Sequence, residues 1–175
     1  KSENSYKRSI KKLAYIDLWN SNFLDVDNRV IVSYLWKIRT LPKYLQQLEM
    51  ESLGKRANPK SIFSKTSQTI YGDFGPRAQH SFFQMLHQGT SKTSIDFIID
   101  KEVSESNKLP KIQALTQNKL FNFPLKENLK QNYKINSNVS SNLFLLKKLT
   151  PFNLGFLISS WEHKTFISSQ LLEIN

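Results

Sequence analysis

The chain has 175 residues, 39% of them hydrophobic and 12% aromatic, and carries a net charge of +11. That length and apolar share suit one globular domain with a sizeable core and exclude a disordered chain. Cysteine is absent, which excludes disulfides, zinc–cysteine sites and thiol nucleophiles and fits a reducing compartment. No apolar run reaches the roughly 18 residues that would cross a membrane, so no membrane partner is expected. His80, His87 and His163 are the imidazoles, and no two have the spacing of a helical metal motif, so no metal is expected. Lysines lie scattered among Asn and Ser with no arginine-rich stripe, so no nucleic-acid partner is expected, although the charge alone would permit one. A positive field also attracts a small phosphorylated metabolite. The chain opens on polar Lys1-Ser2-Glu3-Asn4 without Met and ends at Asn175 just after the apolar "QLLEI". The expectation is a fragment of a longer protein.

Ile10, Leu13, Ala14, Asp17 and Leu18 fit a first helix. "RVIVSY" (29–34) reads as a strand. Ile38, Leu41, Leu45 and Leu48 then mark one face of a helix over about 35–53, which Gly54 ends. "QTIYGD" (68–73) is a second strand. Ala78, Phe82, Met85 and Leu86 give the stripe of a helix over 77–88, opened by the "GDFGPRAQH" turn. "SIDFIID" (94–100) is a third strand, followed by a weaker helical stripe at Ile112, Leu115 and Leu120. The polar stretch 121–140 reads as a long surface connection. "NLFLLKK" (142–148) is a fourth strand, and Thr150-Pro151 places a cap and a first-turn proline at the head of a long last helix. Strands alternating with helices argue for an α/β fold, a doubly wound parallel sheet covered on both faces. Ligands of such sheets gather at the carboxyl ends of the strands.

In "YLQQLEMESLGK" (44–55), Gln47 and Glu51 are four apart and share a helix face, whereas Glu49 points away from Glu51. Only one carboxylate can face a site that Gln47 lines: the two are either a solvated pair near a helix end, or Gln47 and Glu51 line one cleft at the carboxyl ends of the strands. His80 sits in the first turn of the 77–88 helix, where the dipole favours neutral imidazole. It is either a capping or packed histidine or a group that moves a proton. Gly72 and Gly75 flank Asp73 in a turn that would let a backbone or an anion come close. His87 reads as structural, and Glu162-His163-Lys164 as a polar helix face with an internal ion pair.

Four stretches, "YLQQLEMESLGK", "AQHSFFQMLHQGT", "KLTPFNLG" and "WEHKTF", resemble the glucose-6-phosphate isomerase (phosphoglucose isomerase) family in order and spacing. The resemblance runs from about Leu13 to Asn175. It implies that 1–175 is one carboxyl-proximal sugar isomerase (SIS) domain with a flavodoxin-like fold, cut from a larger two-domain enzyme. It also implies interconversion of glucose 6-phosphate and fructose 6-phosphate through a cis-enediol, without metal or organic cofactor, in the cytoplasm. On the matching positions, Glu51 takes the place of the catalytic base, Gln47 that of a sugar contact, and His80 that of the ring-opening histidine. The family's histidine reaches the neighbouring subunit's site, which implies a homodimer. The family reads close to "GEPGTNGQH" where this chain has "GDFGPRAQH", so Asp73, Phe74, Pro76, Arg77 and Ala78 depart from it. The family's catalytic arginine, catalytic lysine and phosphate-binding Ser/Thr fall outside these residues, so the chain alone is expected to be inactive. The rival reading is a non-catalytic SIS-type module that binds a sugar phosphate.

Overall fold

A computed structural model describes residues 5–123, 134–137 and 139–174. In chain order the elements are α1 (Ser5–Phe23), β1 (Asn28–Ser33), a 3-10 turn (Trp36–Ile38), α2 (Leu41–Leu53), β2 (Thr69–Phe74), α3 (Gly75–Ala78), α4 (Phe83–Gln88), β3 (Thr93–Asp100), α5 (Glu105–Asn122), β4 (Ser141–Leu146) and α6 (Pro151–Leu172). The strands form one sheet in the order β2-β1-β3-β4, and every neighbouring pair is parallel. This is the expected doubly wound α/β arrangement.

Strand alternation sorts the core into two layers. Val30, Val32, Ile95, Phe97 and Ile99 face Ala78, Phe83, Leu86, Ala114 and Phe121 of α3, α4 and α5. Ile31, Ile70 and Ile98 face Leu41 and Leu45 of α2 and Leu157 and Trp161 of α6. Each Val, Leu, Ile or Phe among them contributes roughly 1.5–3 kcal/mol by leaving water. α1 lies outside α6, with Tyr6 against Phe156 at 4.3 Å between ring centroids. β1 and β3 are therefore buried on both faces, and their centres are mostly apolar, as in central parallel strands. β4 is an edge strand, with Leu143 and Leu145 exposed. None of the described helices is long and apolar enough to cross a membrane.

Three expected elements are corrected. The 35–53 helix is a 3-10 turn followed by α2, with Pro42 in the first turn of α2. The 77–88 helix is broken into α3 and α4 by a turn over 79–82. In that turn the His80 and Ser81 amides bond back three residues, to Arg77 and Ala78. The break shifts the inward register by one residue, so Phe83 rather than Phe82 enters the core and Met85 is exposed. On α5 the buried residues are Ala114 and Phe121, while Ile112 and Leu115 are exposed. The apolar stripe at Ile112 and Leu115 therefore lies off the inner face, which Ala114 and Phe121 form. Thr150 caps α6 as expected, its hydroxyl accepting from the Asn153 amide at 3.1 Å. Most of the connection expected at 121–140 lies outside the described residues.

Candidate active-site face

α2 leaves the carboxyl end of β1, and a helix joining parallel strands must run back along the sheet. Its last turn therefore stands beside the amino end of β2. There the Ile70 amide meets Met50 Sδ at 3.4 Å, and Thr66 Oγ1 donates to the Lys55 carbonyl at 2.7 Å. Gly54 closes the helix, its amide bonding to the Met50 carbonyl. Gln47 and Glu51 are both exposed on one face, as their spacing requires. The expected cleft at the carboxyl ends does not hold them, because the helix that carries them runs the other way. Their sequence neighbours turn inward: Gln46 Nε2 donates to the Ile70 carbonyl at 2.7 Å, and Glu49 is 3% exposed.

Glu49 enters a buried cluster of charge between the sheet and three helices. Arg29, the second residue of β1 and on the same face as Ile31, bonds both Glu49 and Asp17 of α1. Lys164 of α6 reaches Asp17 at 2.6 Å and Glu49 at 2.9 Å. Trp161 Nε1 donates to the same Glu49 oxygen that Arg29 and Lys164 meet. Asp96 of β3 lies 3.5 Å from Arg29 Nε and accepts from Asn142 of β4 at 2.7 Å. Burial works against the Glu49 carboxylate, yet Arg29 and Lys164 outweigh it and hold its pKa down at about 2. Burial, with the Asp17 charge, pushes Asp96 up to about 6 against the pull of Arg29 and Lys164. Arg29 is likewise opposed by burial, but three carboxylates hold its pKa raised.

The sequence reading did not assemble this cluster. Its signal was present in Asp17, a charge inside the apolar stripe of α1, and in Arg29 at the head of an apolar strand. The polar-face reading of Glu162-His163-Lys164 is corrected. Lys164 is 3% exposed and points to Asp17 and Glu49. Glu162 instead accepts from the Tyr44 hydroxyl at the surface, at 3.0 Å.

His80 is exposed in the turn between α3 and α4, just past the carboxyl end of β2. It does not occupy the first turn of a long helix. Within one chain, the connection to α2's far end places Glu51 and His80 at opposite ends of the sheet. The amides around His80 are tied inward. Gln79 donates to the Tyr34 hydroxyl at 3.0 Å, and Gln117 donates to Gln79 at 3.3 Å. Burial pushes Tyr34 up to about 12. His87 is structural as expected, stacking on Phe121 at 4.5 Å and meeting Gln117 at 2.8 Å. Close packing requires both glycines. A Cβ at Gly72 would stand 1.9 Å from the Ile31 carbonyl oxygen, and one at Gly75 would stand 2.3 Å from the Tyr34 ring. A cleft of about 700 Å³ does open at the carboxyl ends, lined by Tyr34, Trp36, Phe74, Asp100 and Lys148, but not by Gln47, Glu51 or His80.

The sheet order and the helices on both faces define a doubly wound, SIS-type α/β domain. A solved glucose-6-phosphate isomerase from Chlamydia trachomatis superposes with a TM-score of 0.81 at 28% identity, over 95% of this chain and 34% of that one. A hypothetical protein from Thermus thermophilus shares the fold at a TM-score of 0.67 and 19% identity, over 94% of this chain and 39% of that one. The family model described as phosphoglucose isomerase matches residues 5–175, and the chain belongs to that family. Glucose-6-phosphate isomerases of Acinetobacter venetianus and Helicobacter pylori are 35% and 36% identical to it, each over 93% of this chain and 34% of the relative. The chain thus spans about a third of the length of those curated relatives.

Proposed function

We propose that the chain is the carboxyl-proximal SIS domain of a cytoplasmic glucose-6-phosphate isomerase, contributing Glu51 as base, Gln47 as a sugar contact and His80 as the ring-opening group. The observation that supports this most is that family membership coincides with an outward Gln47–Glu51 face, while the neighbouring Gln46 and Glu49 are consumed inside. In the open aldose, Glu51 removes the C2 proton as the C1 carbonyl oxygen takes one, giving a cis-enediol. Return of a proton to C1 with loss of the O2 proton gives the ketose. C2 is oxidised as C1 is reduced within one molecule, so the step balances without an external oxidant, metal or organic cofactor.

Glu51 and His80 lie at opposite ends of the sheet, so one site can use both only if two copies contribute. This favours a homodimer in which His80 of one subunit serves the Glu51 of the other, in keeping with the two-fold symmetry that most homo-oligomers adopt. The 175 residues alone are expected to lack appreciable turnover. The resemblance places an arginine and a lysine outside them, and one such electrostatic donor is worth about 100- to 1000-fold. The test mixes Glu51→Gln and His80→Ala subunits of the complete isomerase. Activity in the mixture, with both parents inactive, is the expected outcome. A mixture as inactive as its parents removes the shared site. A Glu51→Gln parent with normal turnover removes the base assignment and leaves the sugar-phosphate-binding module.

A further inference from the structure

The last turn of α2 is unfavourable on its own terms. It carries Glu49 and Glu51 at the negative end of the helix dipole, with no basic residue in that turn. Such a turn tends to fray, and the proposed base stands in it. The compensating charge comes from distant segments: Arg29 on β1 and Lys164 on α6, with Trp161 adding a hydrogen bond. Asp17 and Asp96 in turn fix Arg29 from α1 and β3. Buried ion pairs are poor sources of net stability, since apolar replacements of similar volume are often as stable or more so. What directed charged contacts supply is geometry. Three donors converge on one Glu49 oxygen and so define both the depth and the roll of the helix end.

We propose that Glu49 is a positioning residue for Glu51, pinning the last turn of α2 to Arg29, Lys164 and Trp161 so that the Gln47–Glu51 face stands at a fixed place. This deepens the reading of Glu51 as the base and rests on it for its functional meaning. Glu49 itself faces away from that surface and touches no substrate.

The test is backbone amide exchange in this chain, read by mass spectrometry over residues 44–55 and compared with β1 and β3. Two variants are used. Glu49→Gln keeps the shape and removes the charge. The pair Glu49→Leu with Lys164→Met replaces one ion pair by apolar groups and leaves the net charge of the cluster unchanged, with Arg29 still held by Asp17 and Asp96. In both, exchange at 50–54 is expected to quicken by about tenfold or more while β1 and β3 keep their protection, a local opening rather than a global one. The pair is expected to regain the parent's unfolding midpoint without regaining a protected last turn, which a merely stabilising role would restore. If Glu49→Gln does not fold, the pair decides alone. Parental exchange at 50–54 in the folded pair overturns the proposal. So does failure of both variants to fold, since the cluster would then determine the whole fold rather than one turn. Exchange reads the anchoring whether or not Glu51 is the base, and the turnover of Glu51→Gln reads the base whether or not Glu49 anchors it, so the two failures are separate.

Discussion

The two faces of α2 carry nearly the same residue types and do opposite things. Gln46 and Glu49 face inward and are fully engaged, one by the Ile70 carbonyl and the other by Arg29, Lys164 and Trp161. Gln47 and Glu51 face outward and are exposed. A charge is tolerated inside only when its partners are built in, because desolvation would otherwise expel it. The outward face has no such requirement, so its chemistry is available to a ligand. The contrast shows that a Gln-Gln or Glu-x-Glu run says little until the helix phase is known.

The sharpest way to break this comparison is at Glu51. In the complete isomerase, Glu51→Gln is expected to lower turnover by about 100- to 10,000-fold, the range of a positioned general base. Its unfolding midpoint should match the parent. Steady-state kinetics beside a thermal melt check both, and unchanged turnover would make the outward face inert. Glu49→Gln should show the reverse emphasis. Losing one partner of a buried pair costs about 3–5 kcal/mol, measurable by denaturant unfolding of the chain itself. A cost near zero would mean that the inward cluster is not held as its geometry indicates.

Much of this was legible in the sequence, for physical reasons that also mark its limit. Short apolar or β-branched runs located all four strands, and the Gln47–Glu51 spacing placed that pair on one face. The two-residue offset predicts that Glu49 points away from Glu51, and it does: Glu49 is buried and Glu51 exposed. Partners, however, come from contacts across long stretches of chain. Arg29 looks like the start of a strand and Lys164 like one charge in a polar triplet, and only folding brings both to Glu49. The break at 79–82 was hidden because Phe82 and Phe83 are both apolar, so either phase of the helix fits the pattern. The direction of α2 was implicit in the expected parallel sheet. A helix between parallel strands returns to their amino ends, and the rule that ligands gather at the carboxyl ends drew Glu51 to the wrong side.

Asp96 offers a smaller effect of opposite sign to Glu49. Two positive and three negative side chains share the cluster, and Asp96 is the carboxyl pushed up, to about 6. A raised acid pKa means that the native state binds the proton more tightly than the unfolded chain does. Stability from this group is therefore present below its unfolded pKa and lost as pH rises through about 6. Glu49 behaves oppositely: its contribution is present above its ordinary pKa and lost as pH falls towards about 2. Asp96→Asn should then stabilise the chain at pH 7.5 by about 1–3 kcal/mol, on the scale of 1.4 kcal/mol per pKa unit. Its amide oxygen can still accept from Asn142. Near pH 4 the parent is itself protonated at Asp96, so the two unfolding midpoints should converge. Melts across that range check this, and a gap that does not depend on pH would show that Asp96 is already neutral at pH 7.5.

The smallest expected difference lies in the glutamine pair. Gln46→Ala removes one hydrogen bond to the Ile70 carbonyl and should cost about 1 kcal/mol. That carbonyl lies on β2, which is an edge strand of the sheet, so water can partly replace the lost donor and keep the penalty modest. Gln47→Ala, one residue on, should leave the unfolding midpoint in place because its side chain is exposed. In the complete isomerase the order reverses. Gln47→Ala should raise KM or lower kcat if the outward amide contacts the sugar, whereas Gln46→Ala should leave both near the parent values. Denaturant melts on the chain and steady-state kinetics on the enzyme give four measurements. If Gln47→Ala altered stability but not kinetics, the outward face of α2 would be a packing surface for another part of the protein, and the sugar contact would have to be sought elsewhere.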